Sequence, residues 1–234
     1  MDAEVQDYDA GVFQRLNEFH IARDQLEVHR ELLTQLGDII CLHGLHRRVG
    51  ISLLHKHFEV SDNELVVREF IHNVSYIKPW AIDALSSTLP YIWKAEINDG
   101  RAVYYPLEFC DYPERLKADA RSDLEILKES PAFLTAFANK LNELGLIEIF
   151  GLMSLRSRAG FTLAPDETLL ETTDEERRIL TLRPAQVSEV EGLDTTQTLW
   201  MYTPAPSRIG AVISGAECSN HCAAHCLAHC VSHP

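Results

Sequence analysis

Four Cys-x-x-His tetrads follow one another without a gap: Cys218-Ser-Asn-His221, Cys222-Ala-Ala-His225, Cys226-Leu-Ala-His229 and Cys230-Val-Ser-His233, with Pro234 after them. They hold four of the six cysteines and four of the eleven histidines. Thiolate and imidazole are the side chains that bind soft and borderline ions best, so the expected chemistry is coordination of Zn or Cu(I). Such ligands bind deprotonated, and affinity is expected to fall steeply on acidification.

The period of four has geometric consequences. If the chain is helical from Gly215, each tetrad advances ~400° around the axis and ~6 Å along it, so successive cysteines drift by only ~40°. All eight ligand residues then share one half of the helix, and Ala223, Ala224, Leu227, Ala228 and Val231 fall mainly on the other. Cys222 and Cys226 become i,i+4 neighbours, close enough to share an ion. Four tetrahedral ligands do not converge from one straight helix, so a closed zinc site needs a second element, a bend or a second chain. Cu(I), which accepts two or three soft ligands, needs no such help. The Cys-x-x-x-Cys spacing of Cys218, Cys222, Cys226 and Cys230 resembles that of bacterial copper-storage helical bundles, which implies thiolate pairs holding Cu(I). The resemblance covers these positions alone, and no bundle body is expected here.

A second reading makes the tail a substrate. A folded leader followed by a short Cys-rich core resembles the ribosomally made precursors of peptide natural products, and Ser214-Gly215-Ala216 resembles their small-residue cleavage sites. That resemblance implies a modifying enzyme as partner. A leader of this length departs from the pattern.

A second histidine group comprises His43, His46, His55 and His57. Leu53-Leu54-His55-Lys56-His57-Phe58 reads as a strand, on which residues two apart project from one face. Paired imidazoles presented in this way suit a catalytic metal, with Glu59, Glu64 or His72 as conceivable third ligands. The His-x-His element loosely resembles that of cupins, but the spacing to the following acid and glycine differs, and no cupin residues are transferred. The bland alternative is a ring hydrogen-bonded in the core or an exposed strand face. His20 and His29 are expected at the surface, and Asp111, Glu114, Asp123 and Glu125 on a solvated face. No Gly-rich phosphate loop, Gly-x-Ser-x-Gly elbow or His-Glu-x-x-His motif is present. The leading expectation is therefore metal sequestration, sensing or delivery by the tail, with a metal-dependent enzyme using His55 and His57 as an alternative.

The elements that position these residues are legible in outline. The chain has 234 residues, 46% of them hydrophobic and 24% charged, enough to bury a substantial core. A net charge of -14 disfavours nucleic acid and anionic membrane as partners. The acidic start, Met1 to Asp9, lacks a secretory n-region and h-region, so the expected location is cytoplasmic. Apolar residues from Phe13 to Leu36 at helical spacing predict one long helix over 12–37, with Gly37 as its cap. Strands are expected over Val49 to Phe58 and Glu64 to Ile71, paired as a hairpin, and Leu146 to Leu155. Tyr91 to Ile97 and Arg101 to Leu107 flank Asp99-Gly100 as a second hairpin, with Pro106 at a strand end or edge. Ser130-Pro131 opens a second main helix. Two short strands flank the acidic turn 173–176, and Thr198 to Tyr202 is a last one. The class is α+β, with a largely antiparallel sheet and two main helices, plus a Cys/His-rich tail that is helical or flexible. The expected divisions are a body over 1–202, a Pro-containing linker over 203–214 and the tail over 215–234.

Overall fold

The computed structural model describes residues 3–191 and 193–204 in full and the backbone of 211–213 and 220–222. The first stretch of chain forms β1 (Glu4–Val5), α1 (Ala10–Gln14), α2 (Phe19–His29), α3 (Leu33–Leu42), β2 (Val49–Leu53), β3 (Glu64–Ile71), β4 (Val74–Ala81), β5 (Leu89–Asn98) and β6 (Arg101–Asp111). The second forms α4 (Glu114–Lys128), α5 (Pro131–Glu143), β7 (Phe150–Ser154), β8 (Glu167–Asp174), β9 (Ile179–Gln186), α6 (Val187–Val190) and β10 (Leu199–Trp200). Beyond them lie β11 (Tyr202–Pro204), β12 (Ala211–Ile213) and β13 (Asn220–Cys222). Helices beside a mostly antiparallel, curled sheet make the fold α+β, in strand order β10-β2-β7-β5-β6-β3-β4-β9-β8-β13.

The chain repeats itself. Gly44-Leu45 before β2 and Gly145-Leu146 before β7 make the same turn: Leu45 N–H donates to Ile40 O as Leu146 N–H does to Leu141 O, and Val49 N–H to Leu45 O as Phe150 N–H to Leu146 O. Both glycines have positive φ, 70° and 71°. Further along, Ser61 N–H donates to the Glu64 carboxylate and Ala164 N–H to that of Glu167. Ile82 N–H donates to Asn63 O as Val187 N–H does to Asp166 O. Pro79 and Pro184 occupy the same place in β4 and β9. Equivalent residues meet in the antiparallel pairs Ile51↔Leu152 and Tyr76↔Thr181. A local two-fold axis through β2/β7 and β4/β9 produces that register.

The axis organises two layers of core. One face of β10-β2-β7-β5-β6 is covered by α3 and α5, which bury Leu36, Ile40, Phe133, Phe137 and Leu141 against Ile51, Leu152, Trp93 and Trp200. Tyr104 Oη donates to Leu134 O at 2.7 Å and Tyr202 Oη to Leu33 O at 3.0 Å, so each helix is tied through an early carbonyl. The opposite face closes on β3-β4-β9-β8 around Val66, Ile77, Leu107, Met153 and Leu182. Buried on both faces, β2 and β7 carry apolar runs in place of alternation.

Several expected elements differ. The 12–37 helix is interrupted after α1 because Asn17 O accepts Lys56 N–H at 3.0 Å and Glu18 bridges to Lys56, contacts that tie this turn to the His55–His57 segment. Gly37 lies inside α3, buried, where a Cβ would come 2.2 Å from the Tyr202 ring. No hairpin joins β2 to β3: β2 pairs with β7 and β10, and β3 with β4 and β6. The Asp99-Gly100 hairpin forms as expected, both residues having positive φ. Pro106 is mid-strand, opposite Trp93. On its other side β1 pairs only with Val103 and Tyr104, and pairing with β3 starts at Glu108, so the missing N–H falls between two ladders. The 111–125 acids lie around and on α4, which was not expected, and Asp123 is buried in ion pairs with Arg48 and Arg156 rather than solvated.

A peripheral pair yields a first prediction. Both Arg178 nitrogens donate to Glu64, at 2.8 and 3.0 Å. Those bonds, against the opposing effect of burial and with help from Ser61 N–H, lower the Glu64 pKa from its ordinary 4.5 to about 2. Its stabilising contribution is complete above about pH 4.5 and is lost as pH falls towards about 2. Glu64→Gln is expected to cost about 1 kcal/mol at neutral pH and markedly less at pH 2, read from urea denaturation at both values.

Candidate metal centre

His55 and His57 lie not on a strand but in the segment after β2. The ladder ends as Leu53 N–H donates to Thr198 O and Leu54 N–H to Ile149 O. The chain then turns inward, and both histidines are buried, 5% and 8% exposed, their rings edge to face with centroids 4.6 Å apart. The third group is Glu171, in the middle of β8 and 3% exposed. One ligand atom from each of His55, His57 and Glu171 lies within 4.8 Å of the others. Two imidazoles and one carboxylate at this spacing could hold a metal ion.

Each histidine is oriented through one ring nitrogen. His55 Nδ1 is 3.1 Å from Leu53 O, which can only accept, so the proton sits on Nδ1 and the lone pair on Nε2. His57 Nε2 is 3.2 Å from Glu108 Oε1, which leaves Nδ1 as the donor atom of the neutral ring. Acceptor oxygens behind both rings are the outer-shell arrangement that fixes the tautomers of metal-bound histidines. Glu108 also accepts from Tyr91 Oη, and the Arg68 guanidinium stands 4.6 Å over the Tyr91 ring.

The cluster buries charges of both signs. Glu108 and Glu171 are two buried carboxylates facing one buried guanidinium, Arg68. Burial opposes charge on His57, but its hydrogen bond to Glu108 prevails and its pKa lies above the ordinary value. Burial likewise pushes Glu108 up, while His57 and Tyr91 pull it down further, and it stays ionised. A proton on His57 restores neutrality.

Space is restricted. The cavity enclosed by His55, His57, Arg68, Glu108 and Glu171 holds about 20 Å³, room for one water-sized particle. His57 also lines an open cleft of about 410 Å³ with Glu18, Lys56, Glu59, Glu175 and Arg178. His57 is thus common to the lining of the cavity and of the cleft.

The third ligands expected from sequence are elsewhere. Glu59 pairs with Lys56, Glu64 with Arg178, and His72 is exposed in the β3–β4 turn with φ 56°. His43 packs edge-on to Phe133, and His46 lies in the turn before β2. Of the tail ligands, His221 and Cys222 have described backbone in β13; Cys218, His225, Cys226, His229, Cys230 and His233 lie outside the described residues, as does most of the 203–214 linker. Sequence reasoning missed Glu171, Glu108 and Arg68. Their signal is a charge set inside an apolar run: Leu169-Leu170-Glu171, Leu107-Glu108-Phe109 and Val66-Val67-Arg68. In the repeat unit, the segment after β7 carries Arg156 and Arg158, so the histidines occur on one side of the axis only.

No family model matches the chain, and neither a curated protein nor a solved structure matches it. Among the described residues no helix is long and apolar enough to cross a membrane.

Proposed function

We propose that this is a metal-binding protein whose body holds one divalent ion of the zinc class on His55, His57 and Glu171, and whose Cys/His tail supplies a second, softer set of ligands. The observation that carries the reading is the convergence of three buried ligand groups whose imidazoles are each oriented by an oxygen behind them. Two nitrogens and one oxygen suit Zn(II), whereas Cu(I) is better served by the thiolates of Cys218, Cys222, Cys226 and Cys230. The interior cavity leaves no room for a substrate beside an ion. Holding and transfer of metal fit it better than catalysis, and sequestration, sensing or delivery is the role we assign.

The test separates body from tail. In a variant with the four tail cysteines changed to Ser and His221, His225, His229 and His233 to Asn, the protein incubated with Zn(II) is expected to retain one ion in native mass spectrometry under reducing conditions. A variant that is folded and carries none refutes the reading.

A further inference from the structure

A second cavity lies where β4 leads into β5 through a short 3-10 turn, Ile82–Ser86. The residues that leave the turn are Ser86-Ser87-Thr88, and each hydroxyl bends back onto it. Ser86 Oγ donates to Asp83 O at 3.3 Å, Ser87 Oγ to Ala84 O at 3.0 Å and Thr88 Oγ1 to Ala84 O at 3.2 Å. Their protons are thereby committed, and each oxygen keeps lone pairs with which to accept. Helix α4 brings Lys117 and Arg121 to the same cavity. They are i,i+4 neighbours, each one residue beyond a buried position, Leu116 and Ala120, so both stand beside the apolar stripe of the helix. Leu89 and the buried Cys110 and Tyr112 complete the lining. The space is about 150 Å³. One water needs about 15 Å³, so a group of several heavy atoms fits. No lining residue is shared with the cavity at His55, His57 and Glu171.

The two cations are only loosely engaged. Like charges at i,i+4 on a helix repel each other. The carboxylates nearest Lys117 are Asp111 at 3.6 Å and Glu114 at 3.5 Å, beyond the ~2.8 Å of a charge-assisted hydrogen bond, and the Glu114 side chain is 91% exposed. Arg121 has no hydrogen-bond or ion-pair partner among the described residues. In a chain of net charge -14, an arginine beside a cavity and without a carboxylate partner keeps its donors for a ligand. We propose that this cavity is an oxyanion site that takes a phosphate group, free or as a small monoester. Arg121 forks onto two of the phosphate oxygens and Lys117 meets a third. The hydroxyl oxygens of Ser86, Ser87 and Thr88 accept from the acid proton of the phosphate or from hydroxyls of the ester.

Isothermal titration calorimetry of the full chain in metal-free, low-salt buffer tests the site, with inorganic phosphate in one arm and glycerol 3-phosphate in the other. The expected result is saturable binding of one anion per chain. Arg121→Gln should weaken it at least about 10-fold, and the double variant Lys117→Gln, Arg121→Gln should abolish it. Arg177→Gln, which removes an arginine that is 79% exposed and not part of the cavity, should leave the affinity unchanged. Tighter binding of the ester assigns the site to a monoester, and equal or weaker binding assigns it to the free ion. Circular dichroism confirms that each variant is folded. No saturable binding of either probe, or the same loss in Arg177→Gln as in Arg121→Gln, overturns the proposal.

Discussion

In the chain with its tail ligands replaced, His57→Ala is expected to abolish binding of the single zinc ion, and Glu171→Gln to weaken it by at least about 100-fold. In the proposed centre His57 supplies a nitrogen to the ion; it also lines the open cleft and is hydrogen-bonded to Glu108. Its removal takes away that nitrogen. Glu171→Gln keeps the shape of the side chain but replaces an anionic oxygen by a neutral one, so its effect reports on coordination more than on packing. Glu108→Gln touches no ligand atom position directly. It removes the carboxylate behind His57, and a loss of about 10- to 100-fold is expected. The ordering is what matters: a merely structural hydrogen-bond network gives no zinc binding to lose. Zinc titrations monitored by competition with a chromophoric chelator measure all three, with circular dichroism to confirm that each variant is folded.

The second large effect concerns the two-fold axis. Gly151→Ala places a Cβ 2.3 Å from the carbonyl oxygen of Trp93 and 2.7 Å from Leu54 Cδ2. Its counterpart, Gly50→Ala, places one 2.5 Å from Trp200 O. In both cases the obstacle includes backbone of the neighbouring strand, which cannot rotate aside, and that strand is wedged between two layers of core. Each substitution is expected to cost about 3 kcal/mol, the upper end of the cost of overpacking. Gly44→Ala and Gly145→Ala meet no atoms within 4 Å and carry only the strain of positive φ, about 1 kcal/mol each. Urea denaturation of the four variants should therefore fall into two matched pairs, with Gly50 and Gly151 the severe one. A Gly151→Ala protein within about 0.5 kcal/mol of the parent contradicts the close approach on which the repeat is built.

Much of the local structure was legible because it is written in neighbouring residues. Asp99-Gly100 between apolar runs specifies the β5–β6 hairpin, and Ser130-Pro131 with Gly145 brackets α5. Pairings between distant segments were not. Val49 to Leu53 is apolar on both faces, so nothing in it says that its neighbours are β7 and β10 instead of β3. The repeat itself was available in the parallel placement of Gly44, Gly50, Pro79 and Trp93 with Gly145, Gly151, Pro184 and Trp200, but single residues at those separations are faint signals amid divergent sequence. At the centre, His55 and His57 drew attention as ligands by their spacing, although the strand proposed for them is absent. Their partner Glu171 is more than a hundred residues away and reaches them only because the sheet curls β8 over the same interior. The sequence around His55 offers nearer acids, Glu59 and Glu64, and both are committed to surface ion pairs.

The interior cluster changes how the tetrads are understood. Alone, they are a soft-metal tail of unspecified anchorage. With the proposed body centre of two imidazoles and a carboxylate, the one chain would offer two chemically distinct ligand sets.

Anomalous diffraction at the zinc edge from crystals of the zinc-loaded full chain tests the centre most directly. The account predicts a peak inside the body at about 2.0–2.2 Å from one nitrogen of His55, one of His57 and one carboxylate oxygen of Glu171. Zinc found only on the tail tetrads, with no peak among these three residues, contradicts it.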